Sequence, residues 1–432
     1  MIGKQVFLNQ SVEVEIADIL NEVTSYIDNL HKSRMLSPAD YDHTLLFIAE
    51  ILPYIKNQEA WISLGYMLCK DLKQNLEKYG FNRQIGMFGG LGYQCFAVNS
   101  FCKQANILEG FSHSINKVLF IAIGDILKRP KANPTYDSDY DVIGGVSGML
   151  YYLLDYDCNK EEKQILVKCI EYLLEFARDT KFLNQTVINF HVLQPNQNPN
   201  FNQKDFKNGS INFGLAHGML GPLIALAKSY EKGFVVNGLR DGIEKIYQLY
   251  ERFQSVNEGK VPQWPGVITV EEYVEGICRP EHLHVHSSWC YGNIGIVRGL
   301  QKVAGYMDWK ETEQAYIKAM KHLCSQKLED FKLFRPSLCH GFSSLVAIQT
   351  CTYSAYVDSG LLCHLERNVR HLIALYRKSN EHDLSLVDIH DETNPVEGYL
   401  KDLSLLTGST GVAIALLSLK GKIRIGKLLM ID

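Results

Sequence analysis

Two cysteines and a histidine, each set hard against a glycine turn, are the side chains in this sequence best suited to chemistry. Cys290 stands in Trp289-Cys290-Tyr291-Gly292, and Cys339-His340 directly precede Gly341. His217 directly precedes Gly218, and Tyr140-Asp141 lead into Gly145. If these turns are equivalent points of a repeated unit, Cys290, Cys339, His340 and His217 converge in space although they lie far apart in the chain. Two thiolates and one imidazole are a familiar three-ligand zinc set with a fourth position open, the arrangement of a catalytic rather than a structural site. The residues alone leave a second reading open, in which these side chains are satisfied members of the core. His282, His284 and His286 alternate along one stretch. They either share a metal or form the solvated edge of a strand, and the edge is the preferred reading. Cys363-His364 repeats the dipeptide without a following glycine, inside an amphipathic stretch, and is read as structural.

The elements that would position these residues form a repeat. A glycine, two residues, a second small residue and an apolar run recur at Gly89-Gly90-Leu91-Gly92, Gly145-Val146-Ser147-Gly148 and Gly218-Met219-Leu220-Gly221. The same device returns at Gly292-Asn293-Ile294-Gly295, Gly341-Phe342-Ser343-Ser344 and Gly408-Ser409-Thr410-Gly411. Glycine permits a tight turn at a helix start, and the second small residue lets another backbone approach closely. The runs that follow, such as Met149-Leu150-Tyr151-Tyr152-Leu153-Leu154, are apolar all round and so predict helices buried on every side. Amphipathic stretches alternate with them: residues 161–179 place Ile165, Cys169 and Leu173 on one face, and residues 310–327 do likewise with Tyr316, Met320 and Leu323. Buried helix alternating with amphipathic helix reads as two concentric layers, an α/α toroid whose inner helix starts gather at one mouth. An irregular helical stack is the plainer alternative. Residues 180–208 and 259–288 break the rhythm with Thr186-Val187-Ile188-Asn189-Phe190, Val267-Ile268-Thr269-Val270 and the histidine alternation. They read as strand-and-loop excursions overhanging the mouth of a single domain that spans residues 1–432.

Composition narrows the function classes. Hydrophobic residues make up 46% of the chain and charged residues 21%, enough for a large core and against wholesale disorder. A net charge of −4 gives no basic footprint for nucleic acid. Residues 1–20 carry Lys4, Glu13, Glu15 and Asp18 and do not read as a signal peptide. Two uncharged stretches, residues 209–227 and 403–419, are interrupted by Gly, Ser or Thr and read as buried helices with their lead-in loops rather than as membrane spans. Eleven cysteines, an odd number without scaffold spacing, favour reduced thiols in a cytoplasm.

Trp289-Cys290-Tyr291-Gly292-Asn293-Ile294-Gly295 and Cys339-His340-Gly341 resemble the two zinc-binding signatures of the lanthionine synthetase C-like family. Ala216-His217-Gly218 and Asp141-Val142-Ile143-Gly144-Gly145 match that family's other active-site motifs in order and spacing. The resemblance covers residues 86–417 and is greatest to stand-alone lantibiotic cyclases of the nisin cyclase type. It implies an all-α dominated α/α toroid with a small inserted strand-and-loop part, and zinc held by Cys290, Cys339 and His340. It implies also a reaction, in which a cysteine thiol of a precursor peptide adds to dehydroalanine or dehydrobutyrine and closes a thioether ring. Relatives of this type carry an arginine four residues before the first zinc cysteine, where this chain has His286. Either His286 substitutes for it or nearby Arg279 supplies the charge.

The residue chemistry accommodates that reaction. A free thiol is only about 3% ionised at pH 7, and zinc coordination deprotonates it. Zinc with two thiolates and one imidazole is formally neutral and electron-rich, which favours thiol alkylation over water activation. Attack at the β-carbon leaves an enolate that needs a proton at Cα, for which His217 is the acid–base candidate. Asp141 either orients His217 or holds a substrate amide. Tyr291 either hydrogen-bonds the enolate oxygen or packs beside the metal, and Trp289 is read as a pocket wall. No phosphate loop or dehydratase module is recognisable, so the expected partners are a dehydrated lantibiotic precursor peptide, a separate dehydratase and an export transporter. The resemblance places the chain in the cytoplasm, at most peripheral to the membrane. Two other classes fit part of the pattern: a non-catalytic toroid binding thiols such as glutathione through zinc, and a prenyltransferase-type toroid. His217 and Asp141 speak against the first and the adjacent Cys339-His340 pair against the second.

Overall fold

A computed structural model describes residues 6, 8–81, 84–128, 135–197, 205–256, 261–284, 286–381, 399–421 and 423–432. Its helices are α1 (Gln10–Lys32), α2 (Tyr41–Ile51), α3 (Gln58–Tyr79), α4 (Leu91–Ala105), α5 (Glu109–Leu127), α6 (Val146–Leu153), α7 (Lys160–Ala177) and α8 (Leu220–Glu231). The chain continues through α9 (Leu239–Arg252), α10 (Val270–Glu275), α11 (Asn293–Tyr306), α12 (Lys310–Cys324), α13 (Phe342–Tyr356), α14 (Leu365–Glu381), α15 (Ser409–Leu417) and α16 (Ile425–Leu428).

These helices form the expected toroid. Every residue of α6 and of α15 is buried, as an all-round apolar run requires. In α7 burial is confined to the stripe around Leu166, Cys169, Ile170 and Leu173, with Ile165 at its edge, and the start is fixed by a capping box between Asn159 and Glu162. In α12 the buried stripe is Tyr316, Ile317, Met320 and Leu323. Contacts pass around the inner ring from α2 to α4, through Phe96 and Tyr152 to α6, and on to α8, α11, α13, α15 and back to α2. Outside them α3, α5, α7, α9, α12 and α14 each cover the inner helix that precedes them, and α1 covers α15. The first amphipathic helix thus locks the last inner one.

Among the described residues the inner ring has seven helices, one more than the glycine device marks. The seventh, α2, starts from a 3-10 turn at Pro38–Asp40, capped by the Ser37 side chain, and needs no glycine.

The glycine turns do more than reverse the chain. Phe88 N donates to Ile143 O, Val142 N to Ala216 O, Leu215 N to Cys290 O, Cys290 N to Cys339 O, and Cys339 N to Leu406 O. A belt of backbone hydrogen bonds therefore links the loops that precede α4, α6, α8, α11, α13 and α15. The second small residue does admit a backbone, but it is the carbonyl of its own lead-in loop. A Cβ at Gly295 would collide with Trp289 O, and one at Gly411 with Leu405 O.

Strands β1 (Asp179–Phe182) and β2 (Gln185–Ile188) form a hairpin. β3 (Ser210–Asn212), β4 (Ser255–Val256), β5 (Pro262–Gln263) and β6 (Val267–Thr269) follow, with β3 antiparallel to β6 and β4 antiparallel to β5. The histidine alternation corrects the strand expectation. Residues 280–282 form a 3-10 turn, residue 285 lies outside the described residues, and His282 Nδ1 is 2.7 Å from Glu272 Oε2. His282 is thus the half-buried partner of a buried carboxylate rather than a solvated edge, and it joins no metal-binding cluster among the described residues. The uncharged stretches become β3 with α8, and α15 with its lead-in loop. Among the described residues no helix is long and apolar enough to cross a membrane.

Residues 425–432 pack against α6 and bond to side chains of α6 and α11. Asp432 Oδ1 accepts from Tyr151 Oη at 2.5 Å and Lys302 Nζ at 2.9 Å, and Arg298 Nε donates to Ile431 O at 2.9 Å.

Candidate metal centre and acid–base pair

The belt at the mouth sets the loops, and the loops set the side chains. Cys290 Sγ lies 3.7 Å from His340 Nδ1, and the ligand atoms of Cys290, Cys339 and His340 all fall within 4.8 Å of one another. Among the described residues this is the one cluster of three such groups whose donor atoms meet. Tetrahedral zinc with ordinary Zn–S and Zn–N bonds sets ligand separations of roughly 3.5–3.8 Å. The donor set and its spacing fit a zinc ion with small side-chain adjustments. Gly292 makes the first loop feasible: its φ is +116°, and a Cβ there would strike His286 O. The Cys290 thiol is held well below its ordinary range, by the hydrogen bond from Cys339 first and then by His340, against the effect of burial. Ser288, fully buried, hydrogen-bonds the Tyr291 carbonyl and lies 3.9 Å from Cys290 Sγ, bracing the loop from behind.

On the adjoining arc of the mouth, His217 Nδ1 sits 2.7 Å from Asp141 Oδ2. The other carboxylate oxygen of Asp141 accepts from Gly144 N at 2.8 Å and Gly145 N at 2.7 Å, so the buried carboxylate cannot turn. The His217 side chain keeps 41% of its surface exposed, and with Nδ1 committed to Asp141 its Nε2 is the nitrogen left for a substrate. Burial works to lower the His217 pKa, but the hydrogen bond to Asp141 and the charges of Asp141, Asp137 and Cys290 outweigh it and raise it. Leu215 N and Ala216 N both donate to Cys290 O, which anchors His217 beside the first cysteine. Tyr291 Oη accepts from Asn212 Nδ2 at 2.8 Å.

Two expectations change, for Trp289 and for Arg279. Trp289 is no pocket wall: it is fully buried, its Nε1 donates to Leu429 O at 2.8 Å, and it packs on Phe88. Arg279 does not supply the missing charge, because its side chain is exposed and acts on Glu271, while its backbone binds Glu272. His286 donates from Nδ1 to Lys332 O at 2.6 Å, its carbonyl abuts Gly292, and its ring touches His284, which in turn touches Tyr291. Cys363 and His364 lie in the turn before α14, apart from the cluster.

Asp137 was not singled out in the sequence. Burial pushes its carboxyl up to about 6, against the pull of the Tyr140 hydroxyl and of His217. Its acidity is tied to the same pair.

The chain is thus an α/α toroid with a Cys-Cys-His cluster beside an Asp–His pair at its mouth. The family model for lanthionine synthetase C-like protein matches residues 44–429, and the chain belongs to that family. Nisin biosynthesis protein NisC of Lactococcus lactis subsp. lactis is 29% identical over 247 residues, 57% of this chain. The matched segment spans 56% of that protein, little more than half its length. The solved structure of nisin cyclase superposes with a TM-score of 0.80 at 19% identity, over 96% of this chain and 98% of that one, and shows that the fold is shared.

Proposed function

We propose that the chain is a peptide cyclase that closes thioether rings by adding precursor-peptide cysteine thiols to dehydroalanine or dehydrobutyrine. The observation that carries this reading is the meeting of Cys290, Cys339 and His340 beside a buried Asp141–His217 pair. Cys290, Cys339 and His340, the last through Nδ1, would hold a zinc ion whose Lewis acidity makes a bound thiol available as thiolate at neutral pH. A site that only bound thiols would have no use for the acid–base pair.

The protein's own groups divide the remaining work. His217, protonated on both nitrogens, gives Nδ1–H to Asp141 and presents Nε2–H toward the mouth, where it delivers a proton to Cα of the enolate. Asp141 is its orienting partner rather than an amide clamp, since both carboxylate oxygens are already engaged. The Tyr291 hydroxyl faces the developing oxyanion. His286, at the rim, stands in for the family arginine as a contact to the peptide.

Ring closure is tested by incubating dehydrated precursor peptide with the zinc-loaded protein and counting free thiols by alkylation and mass spectrometry. Unchanged thiol counts with wild type would reject the cyclase reading. His217→Ala should keep its zinc yet close rings at least about tenfold more slowly, a loss of about 1.4 kcal/mol or more in transition-state stabilisation.

Asp141→Asn should move the pH profile in a defined direction. As the acid, His217 is active below its pKa, so the rate falls as pH rises through that raised value. An asparagine whose Oδ1 is held by Gly144 N and Gly145 N presents its NH2 to His217 Nδ1, which then cannot carry a proton. The imidazole becomes a weaker base, and the falling limb shifts to lower pH. An unmoved limb would remove Asp141 from this role.

A further inference from the structure

Tyr291 can stabilise an oxyanion only if its own proton points at the substrate, and the residue that settles this comes from the strand insertion. Asn212 ends β3, where it is paired with Val267 of β6, and it is 2% exposed. Its carbonyl oxygen accepts from Gly214 N at 2.9 Å, and its amide nitrogen lies 2.8 Å from Tyr291 Oη. Because the backbone N–H of Gly214 can only donate, the orientation of the amide is fixed: Oδ1 faces Gly214 and the NH2 faces the tyrosine. An NH2 can only donate as well. The Tyr291 oxygen is therefore an acceptor in this bond, and its hydrogen must be directed elsewhere. No other hydrogen bond of this hydroxyl is present among the described residues. The ring is also confined, since a Cβ at Gly214 would come within 2.7 Å of Tyr291 Cε1.

We infer that Asn212 is a positioning residue that converts Tyr291 into an obligate hydrogen-bond donor toward the carbonyl oxygen of the reacting dehydro residue. The inference rests on the cyclase reading above. It also gives the two excursions a task the sequence did not suggest. β3 and β6, one from each side of α8 and α9, pair to hold Asn212 behind the tyrosine, with Phe213 N bound to Gly266 O and Met219 N bound to Asn212 O. The sheet braces the site from behind.

The test is Asn212→Asp, which keeps the shape and still accepts from Gly214 N. Its second oxygen takes the tyrosine hydrogen instead of donating to the tyrosine. Ring closure by Asn212→Asp should fall about tenfold in kcat with KM within about twofold of wild type, matching Tyr291→Phe. Asn212→Ala should cost less than the isosteric aspartate, since alanine leaves the hydroxyl proton free; a purely structural residue would show the opposite order. The Asn212→Asp/Tyr291→Phe double variant should lose no more than either single variant. Full kcat in Tyr291→Phe, a milder aspartate than alanine, or multiplicative losses in the double variant would each overturn the inference while wild-type ring closure stands. Absence of ring closure in wild type would instead strike the cyclase reading itself. Should the aspartate variant fail to fold, Tyr291→Phe and Asn212→Ala still decide the matter.

Discussion

Cys290→Ala should fold, purify without its equivalent of zinc and close no thioether ring above background. Cys290 supplies one of only three donors in the cluster, and its Sγ is the atom that His340 Nδ1 and Ser288 Oγ approach. Loss of an outer-shell partner of a metal ligand typically costs about 10–100-fold in metal affinity or activity. Loss of the ligand itself should exceed the upper end of that range. The fold should survive because the belt at this loop runs through backbone atoms: Leu215 N and Ala216 N bind Cys290 O, and Cys290 N binds Cys339 O. Elemental analysis of the purified variant and thiol counting on dehydrated peptide measure the two effects separately. A full equivalent of zinc in Cys290→Ala would overturn the ligand assignment. Full ring closure without zinc would overturn the role given to the metal. The contrast with His217→Ala is informative, since that variant should keep its metal and lose only speed.

The parts of the site that were legible in the sequence are those attached to the repeated glycine turn. Cys290, Cys339, His340 and His217 sit within two residues of such a turn, so the assumption that turns are equivalent was enough to bring them together. Asn212 lies six residues before Gly218, at the end of a strand, and its importance depends on a partner 79 residues away. No local signal marks it. Trp289 shows the opposite failure. It adjoins Cys290, but the chain bends at residues 289–291 and the Trp289 side chain turns into the core to meet Leu429 O. The histidine alternation failed because a buried partner, Glu272, cannot be seen in the spacing of the histidines. At the level of the fold, six inner helices announced themselves through glycine. The seventh escaped because α2 begins with the Ser37-Pro38 turn, which serves the same geometric purpose with different residues.

Asp432→Ala should produce the largest loss of stability of any single substitution in the ring interior. Asp432 Oδ1 meets Lys302 Nζ and Tyr151 Oη, and its main-chain oxygen accepts from Arg298 and Lys302. Lys228 lies against the same Tyr151 ring, 3.8 Å from its centroid. Burial alone would raise the Asp432 carboxyl, but Lys302 and Lys228 override it and hold the group well below the usual carboxylate range. The lysine gains less: burial pushes Lys302 down to about 8 in spite of Asp432. The pair is thus balanced, and removing the acid leaves the ammonium group of Lys302, 5% exposed, short of a counter-charge, whereas Lys228 keeps its ion pair with Asp155 at 2.8 Å. Breaking a buried pair in this way typically costs about 3–5 kcal/mol. The shift of the denaturant midpoint measures it.

The pH dependence has a definite sign. A carboxyl whose folded pKa is depressed contributes stability that is present above the unfolded pKa and is lost as pH falls through the folded value. The gap between wild type and Asp432→Ala should therefore persist at neutral pH and narrow only in strong acid. Adding Lys302→Met should restore part of the loss, because it removes the stranded charge. The effect should reach the metal centre too. Residues 425–432 carry the carbonyl that fixes Trp289, the neighbour of Cys290, so Asp432→Ala should release zinc to a chelator faster than wild type does. A variant with an unchanged midpoint would mean that the cluster is tolerated rather than stabilising. One with a lowered midpoint but wild-type zinc release would uncouple the interior of the ring from its mouth.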